Sequence, residues 1–150
     1  MSTIRTIEFG SCDYQAMVAL RDKVLRKPLG LTFSPEYLQQ EINDVLIGCF
    51  EGDALLGCCI LSPLSETAVQ LRQMAVDSDL QGKGTGSHIL AFAEEQARAA
   101  GFTELMMHAR KEALPFYVKN GYQVRGEEFV EVGIPHYEMY KQLQAPFSRR

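Results

Sequence analysis

Apolar and polar residues alternate along IRTIEF (Ile4 to Phe9), the period of a half-buried strand. After Ser11 or Asp13, either of which can cap a helix, Met17, Leu20 and Val24 fall on one helical stripe. Pro28 and Gly30 stop the basic segment that follows, RDKVLRKPLG, and Ser34 with Pro35 supplies an N-cap and first turn for a short helix through Leu38 and Ile42. Two strands come next, VLIGCFE and ALLGCCILSPL, joined by a tight turn at Glu51-Gly52-Asp53, and AVQLRQMAV (Ala68 to Val76) is another. Beyond a glycine-studded turn, Ile89, Leu90, Phe92, Ala93, Ala97 and Ala100 recur at helical spacing up to a left-handed stop at Gly101. ELMMHAR then reads as a strand, EALPFYVKN as a short helix ended by Gly121, and YQVRGEEFVEVGIPHYEMYKQL as two strands around Gly133 and Pro135. The order β-α-α-β-β-β-α-β-α-β-β predicts an α/β (α+β) fold, a mixed sheet with helices packed on it. No repeat or linker interrupts it, so the expectation is one domain over residues 1–150 with a loose tail at 145–150 (APFSRR).

Composition narrows the function. A chain of 150 residues, 46% apolar and 23% charged, suits one soluble globular domain. Fifteen Lys and Arg against nineteen Asp and Glu give a net charge of −4, so nothing overall draws the protein to nucleic acid or an acidic membrane, and any anion must be bound locally. No apolar run approaches the ~20 residues of a membrane span, and MSTIRTIEF lacks a signal-peptide layout, which predicts a cytoplasmic protein. Cys12, Cys49, Cys58 and Cys59 have no CxxC spacing and read as small buried thiols in a reducing compartment. His88, His108 and His136 have no ligand-like spacing with them, so no metal is expected.

The chemistry concentrates in QGKGTG, Gln81 to Gly86, between a strand and a helix. The first N–H groups of a helix lack internal partners and, with the helix dipole, attract an anion. Glycines let a phosphate approach without meeting a Cβ, so amides can converge on one diphosphate. Lys83 adds a charge, and Thr85 and Ser87 add hydroxyl donors. A P-loop would need a Lys-Ser or Lys-Thr pair after a second glycine, and a dinucleotide fingerprint would need glycine where Ser87 stands. The competing reading is a tight turn in which the glycines serve geometry alone.

Gln81-Gly82-Lys83-Gly84-Thr85-Gly86 resembles the Q/R-x-x-G-x-G/A signature of the GNAT superfamily of acyl-CoA-dependent N-acyltransferases, and ALPFYVKNGY (Ala113 to Tyr122) is similar to that family's A-x-x-F-Y-x-x-x-G-F/Y segment. LRDKVLRKPLG, LRQMAV and GEEFVEVGIPHYEM further resemble a small bacterial ElaA-like branch. The resemblance covers essentially the whole chain. It implies a single-domain fold with a mixed central sheet of about six to seven strands and about four flanking helices. It also implies that Gln81, Gly82, Lys83, Gly84, Thr85, Gly86 and Ser87 hold the pyrophosphate of acetyl-CoA, that Met74, Ala75 and Val76 offer backbone groups to its pantetheine arm, and that Tyr117 is catalytic. Such strand-like pairing needs the next parallel strand, ELMMHAR, to splay away. Many family members carry Asn seven residues before the tyrosine; here that place is Arg110, which could reach a phosphate or the acyl carbonyl, or attract an acidic substrate.

Acetyl transfer to an amine then needs an oxyanion donor, assigned to a strand amide near Met74 or Ala75, and a proton for the leaving thiolate, assigned to the Tyr117 hydroxyl. An alkylammonium has a pKa near ~10.4, so a base should help at neutral pH; Glu66, Glu128, Glu131, His108 and His136 are the candidates. The run Arg21, Lys23, Arg26, Lys27 reads as a solvated helical face or one that steers an anion. The leading expectation is acetyl transfer to a primary amine, on a small molecule or on a protein or peptide, by direct attack in a ternary complex. A non-catalytic acyl-CoA sensing module is the alternative, and a nucleotide-phosphate protein a third reading. An edge strand such as the last one invites homodimerisation.

Overall fold

Seven strands and four helices follow one another in the predicted order in the computed structural model of the chain, which describes residues 2–143. The tail expected at 145–150 lies outside the described residues. The sheet is mixed, with hydrogen-bonded order β1-β2-β3-β4-β5-β7-β6. It comprises β1 (Thr3–Ile7), β2 (Val45–Glu51), β3 (Ala54–Pro63), β4 (Ala68–Val76), β5 (Glu104–Arg110), β6 (Gln123–Glu131) and β7 (Ile134–Gln142). The helices are α1 (Cys12–Arg21), α2 (Pro35–Gln39), α3 (Thr85–Ala99) and α4 (Leu114–Lys119). The described residues divide into two compact units: 2–62 with Gln73–Ala93, and Pro63–Arg72 with 94–143.

In the first unit the caps read from the sequence are in place: Ser11 accepts from the Tyr14 amide and Ser34 from the Tyr37 amide. Ile7, Met17, Leu20, Leu46, Phe50, Ile60 and Ala75 form the core between α1 and β1–β3. Helix α1 does not run straight through Val24. It passes into a π-helical turn at Asp22–Arg26 and a 3-10 turn at Lys27–Leu29, closed by Gly30 in the left-handed conformation. Nor is the basic run a solvated face at its first member. Arg21 is fully buried, donating through both terminal nitrogens to Glu41 (2.9 and 2.7 Å), whose Oε1 also accepts from the Tyr14 hydroxyl at 2.7 Å. Arg21 lies four residues after Met17 and seven after Tyr14, hence on the buried stripe, and it is tolerated there because Glu41 pairs it. Glycine at 57 allows a close approach, since a Cβ there would stand 2.7 Å from Ile89 Cδ1 and 3.1 Å from the Ala75 carbonyl. The first turns of α3 therefore lie flat on β3.

Of the cysteines, Cys49, Cys58 and Cys59 are buried as expected, but Cys12 is exposed because it opens α1 on the solvent side.

In the second unit β4 and β5 form a short parallel ladder, Ala68↔Glu104 to Leu71↔Met107, and β5 continues antiparallel to β7 along its whole length. The chain's last strand is not an edge: the β6–β7 hairpin folds β7 back between β5 and β6, so β6 is the edge strand at that end of the sheet and β1 at the other. Near Gly126 (φ +88°) the β6–β7 register jumps between Arg125 and Phe129, a bulge that re-aims the end of β6. Tyr122 and Lys141 both bond Glu94 of α3 (2.8 and 3.1 Å), which ties β7 and the residue that follows α4 and Gly121 to that carboxylate.

Candidate active site

Residues 77–88 form the anion-binding candidate. Asp77 leaves β4 with its amide bonded to the Leu56 carbonyl (2.9 Å) and caps a 3-10 turn at Ser78–Leu80. Gln81 then reaches back, its Nε2 donating to the Val76 carbonyl at 3.1 Å. This bond closes the loop onto the end of β4, and it engages one of the backbone groups of Val76 expected to face the pantetheine arm. Gly82 (φ +84°) and Gly84 (φ +86°) both take the left-handed conformation, and a Cβ built at either meets no protein atom within 4 Å. Protein packing therefore does not require glycine here; backbone conformation does, and the space a side chain would fill is open. The first helical bond of α3 is His88 N–H to Gly84 O at 3.1 Å, so the amides of Thr85, Gly86 and Ser87 precede the ladder. Gln81, Gly82, Lys83 and Gly84 are exposed, and Thr85, Gly86 and Ser87 half-buried. Open space, convergent amides at the end of a 15-residue helix and one lysine fit a diphosphate.

Strand β4 carries a feature the sequence reading did not include. Gln73 has φ +54°, a left-handed non-glycine residue inside a strand, which costs about 1–2 kcal/mol. Its side chain donates to the Tyr37 hydroxyl (2.9 Å), and its carbonyl accepts from the Cys58 thiol (3.8 Å). The strain falls two residues after the last β4–β5 pair and one residue before Met74. Burial pushes the Cys58 thiol up to about 12, eased first by the Arg21 charge and then by the Ala75 backbone.

In the second unit, Tyr117 is 7% exposed on α4, edge-on to Phe116 (5.0 Å between centroids) and Tyr122 (5.9 Å). Arg110 ends β5, opposite His136 on β7. The base candidates separate. His108 Nδ1 lies 2.9 Å from Glu131 Oε1, with Phe129 edge-on to its ring at 5.1 Å. His136 is buried, its Nδ1 donating to the Ile134 carbonyl at 2.7 Å and its ring stacked on Phe129. Glu128 accepts from the Tyr137 hydroxyl (2.9 Å) and pairs with Lys111 (3.2 Å); the tyrosine first, then the lysine, hold its carboxyl below the usual range. Glu66 stands exposed in the β3–β4 turn. Among the described residues no group of three or more His, Cys, Asp or Glu is placed to hold a metal ion, and no helix is long and apolar enough to cross a membrane.

Comparisons with known proteins agree on the fold. A crystal structure assigned as an N-acetyltransferase from Lactobacillus plantarum superposes with a TM-score of 0.85 at 25% identity, covering 95% of this chain and 99% of that one. An aminoglycoside 6'-N-acetyltransferase crystallised with coenzyme A gives 0.80 at 15% identity over 93% and 96% of the two chains, and Escherichia coli ElaA gives 0.76 at 18% over 94% and 99%. These last two identities bear on the fold alone. A protein of Bacillus subtilis strain 168 named as the uncharacterized N-acetyltransferase YjcF is 36% identical over 73 residues, which are 48% of this chain and 52% of that protein. This chain spans about half the length of the curated relatives it matches. The family model described as an acetyltransferase (GNAT) domain matches residues 19–143, and the chain belongs to that family.

Proposed function

We propose that the chain, as one domain over residues 1–150, is an N-acetyltransferase that moves an acetyl group from acetyl-CoA to a primary amine by direct attack in a ternary complex. The observation that carries this is the pair of left-handed glycines, Gly82 and Gly84, opening onto empty space at the start of α3. Their amides, with those of Thr85, Gly86 and Ser87 and the Lys83 ammonium, bind the diphosphate, and Gln81 braces the loop. Met74, Ala75 and Val76 present backbone to the pantetheine arm, and Arg110 supplies a cation to a coenzyme oxygen or an acidic acceptor. Acetyl-CoA, when bound, supplies a thioester carbonyl open to attack and a thiolate leaving group.

The oxyanion donor is a strand amide near Met74 or Ala75. The Tyr117 hydroxyl protonates the departing sulfur, since a phenol of pKa ~10 can serve a thiolate whose acid has pKa ~8.5. The acceptor is an amine on a small molecule or on a protein or peptide, and the free buried thiols of Cys49, Cys58 and Cys59 suit the reducing cytoplasm. The test is to mix protein, acetyl-CoA and a panel of primary amines and titrate free thiol. Amine-dependent thiol release supports the transferase, whereas coenzyme binding without release with any amine overturns it.

A further inference from the structure

We infer that Arg26 receives a carboxylate of the acceptor, so that the amine acylated is one that also carries a carboxylate, as a free amino acid does; this rests on the transferase reading above and names its substrate class. Arg26 and the residues around it belong to the first unit, together with Met74 and the glycine turn. Among the described residues, the buried side-chain nitrogens and oxygens left without a hydrogen-bond partner are Arg21 Nε, Asp22 Oδ1 and Arg26 Nε. All three fall within the single stretch Arg21 to Arg26. Unpaired buried polar atoms are destabilising and rare, so a cluster of them marks a place where a ligand completes the bonding.

The π-helical turn at Asp22–Arg26 explains how two guanidiniums meet there. Residues five apart on an α-helix point about 140° away from each other, whereas a π turn returns to the same side after about five. Arg21 and Arg26 accordingly both stand over the Phe33 ring, 4.5 and 4.4 Å from its centroid. Phe33 stacks on Tyr37 (5.8 Å, 21° between planes), and Arg26 lies 5.6 Å from the Tyr37 centroid as well. The two cations differ in what they have left to give. Arg21 is fully buried and spends both terminal nitrogens on Glu41. Arg26 is half-buried, rests on the aromatic rings, and has no carboxylate paired with it among the described residues. A guanidinium held in this way keeps its N–H edge for a planar anion.

One hydrogen bond ties the cluster to the reacting strand. The Tyr37 hydroxyl accepts from Gln73 Nε2 at 2.9 Å, and Gln73 is the left-handed residue directly before Met74. Arg26 thus stands one tyrosine ring away from the segment that the transfer reading assigns to the acyl thioester. Charge decides between anions. Lys23 pairs with Asp77 at 3.6 Å and Arg21 with Glu41 at 2.7 Å, which leaves Arg26, Asp22 and the exposed Lys27 on this part of the chain. Asp22 offsets one of the two cations, and the single positive charge that remains matches a monoanionic carboxylate and falls short of a phosphate dianion. Asp22 Oδ1 in turn needs a donor, which an amine-bearing acid brings.

Nitrogen-15 NMR of the arginine Nε–H groups tests the site without reference to transfer. 3-Phenylpropionate, which has the carboxylate and no amine to acylate, should shift the Arg26 resonance, assigned by its loss in Arg26→Gln, while 3-phenylpropionamide leaves it in place. No shift with 3-phenylpropionate, acetate or butyrate overturns the inference. Transfer from acetyl-CoA tests the specificity, comparing phenylalanine and alanine with phenethylamine and ethylamine, the same amines without the carboxylate, and with O-phosphoethanolamine. In Arg26→Gln the kcat/KM of the carboxylated member of each pair should fall about 10- to 100-fold further than that of its partner, and the thermal shift produced by acetyl-CoA should be kept. Equal losses for both members make Arg26 a packing residue. A wild-type preference for the phosphorylated amine, or a carboxylate preference lost in Arg110→Gln and kept in Arg26→Gln, places the anion elsewhere. Each of these results overturns the inference and leaves the transferase standing. A wild type that binds acetyl-CoA and acylates no amine removes both.

Discussion

Replacing Gly84 by alanine separates the cradle from mere turn geometry, provided Gly52 is replaced in parallel. Gly84 sits at φ +86° and Gly52, in the β2–β3 turn, at φ +60°, and an added Cβ meets nothing within 4 Å at either. An L-residue in the left-handed region costs about 1–2 kcal/mol, so both variants should lose about 2–8 °C in Tm for a domain of this size. That strain exists with and without ligand and cancels from a dissociation constant. What does not cancel is the methyl group in the space the phosphate must enter. Losing one amide bond to a charged oxygen costs about 1.5–3 kcal/mol, or roughly 10- to 150-fold in Kd. Calorimetric titration with coenzyme A should therefore show Gly84→Ala weakened by at least about tenfold and Gly52→Ala unchanged. If the two variants lose similar Tm and bind coenzyme A within about twofold of each other, the glycines serve the turn alone and the coenzyme assignment fails.

Three further outcomes follow from the site and the core. Tyr117→Phe keeps the ring contacts to Phe116 and Tyr122, so the fold and the KM for acetyl-CoA should hold while kcat falls about 10- to 100-fold; unchanged turnover with a good acceptor would end the acid role. Glu41→Gln leaves the buried Arg21 charge unpaired and should cost about 3–5 kcal/mol in urea unfolding, with Arg21→Met plus Glu41→Leu recovering much of it. A double variant no more stable than the single one would show that the pair holds α1 in a way apolar packing cannot replace. Glu104 is held below its usual range first by its hydrogen bond from Arg125, against a smaller effect of burial. A depressed carboxylate contributes stability that is present above the unfolded pKa of ~4.3 and is lost as pH falls through the folded one. The urea-midpoint gap between wild type and Glu104→Gln should thus be full near about pH 6 and vanish in strong acid, and a gap independent of pH would assign it to packing.

The elements were legible because each rests on a local rule. Ser11 and Ser34 cap as their side chains dictate, Gly101 and Gly121 stop their helices at φ +94° and +95°, and the turn at Gly52-Asp53 joins β2 to β3 with Glu51 paired to Ala54. The glycine turn into α3 was legible for the same reason, since Gly82 and Gly84 take the left-handed conformation and a helix start is local. Arg21 was misread because a charge was weighed above its stripe: spacing from Tyr14 and Met17 already placed it inward, and only the partner, Glu41, twenty residues on, lay beyond local pattern. The true edge strand was illegible for a similar reason. Strand order depends on which neighbour a hairpin folds beside, and no residue in β6 or β7 encodes that alone.

Gln73 marks the boundary between the two kinds of information. Nothing in LRQMAV announces a left-handed residue, because glutamine has no preference for it and strand neighbours favour extended backbone. The conformation is imposed from outside the strand: Tyr37 on α2 takes the side chain, Cys58 on β3 takes the carbonyl, and Gly57 lets α3 press against β3 and the Ala75 carbonyl of β4. Strain of this size persists only where surrounding contacts over-determine it. Here it turns the backbone immediately before Met74 and Ala75, where the transfer reading needs an amide aimed away from the β3 ladder. A strand bent at that cost, beside a turn whose glycines meet no protein atom, is what the proposed acyl-CoA site requires.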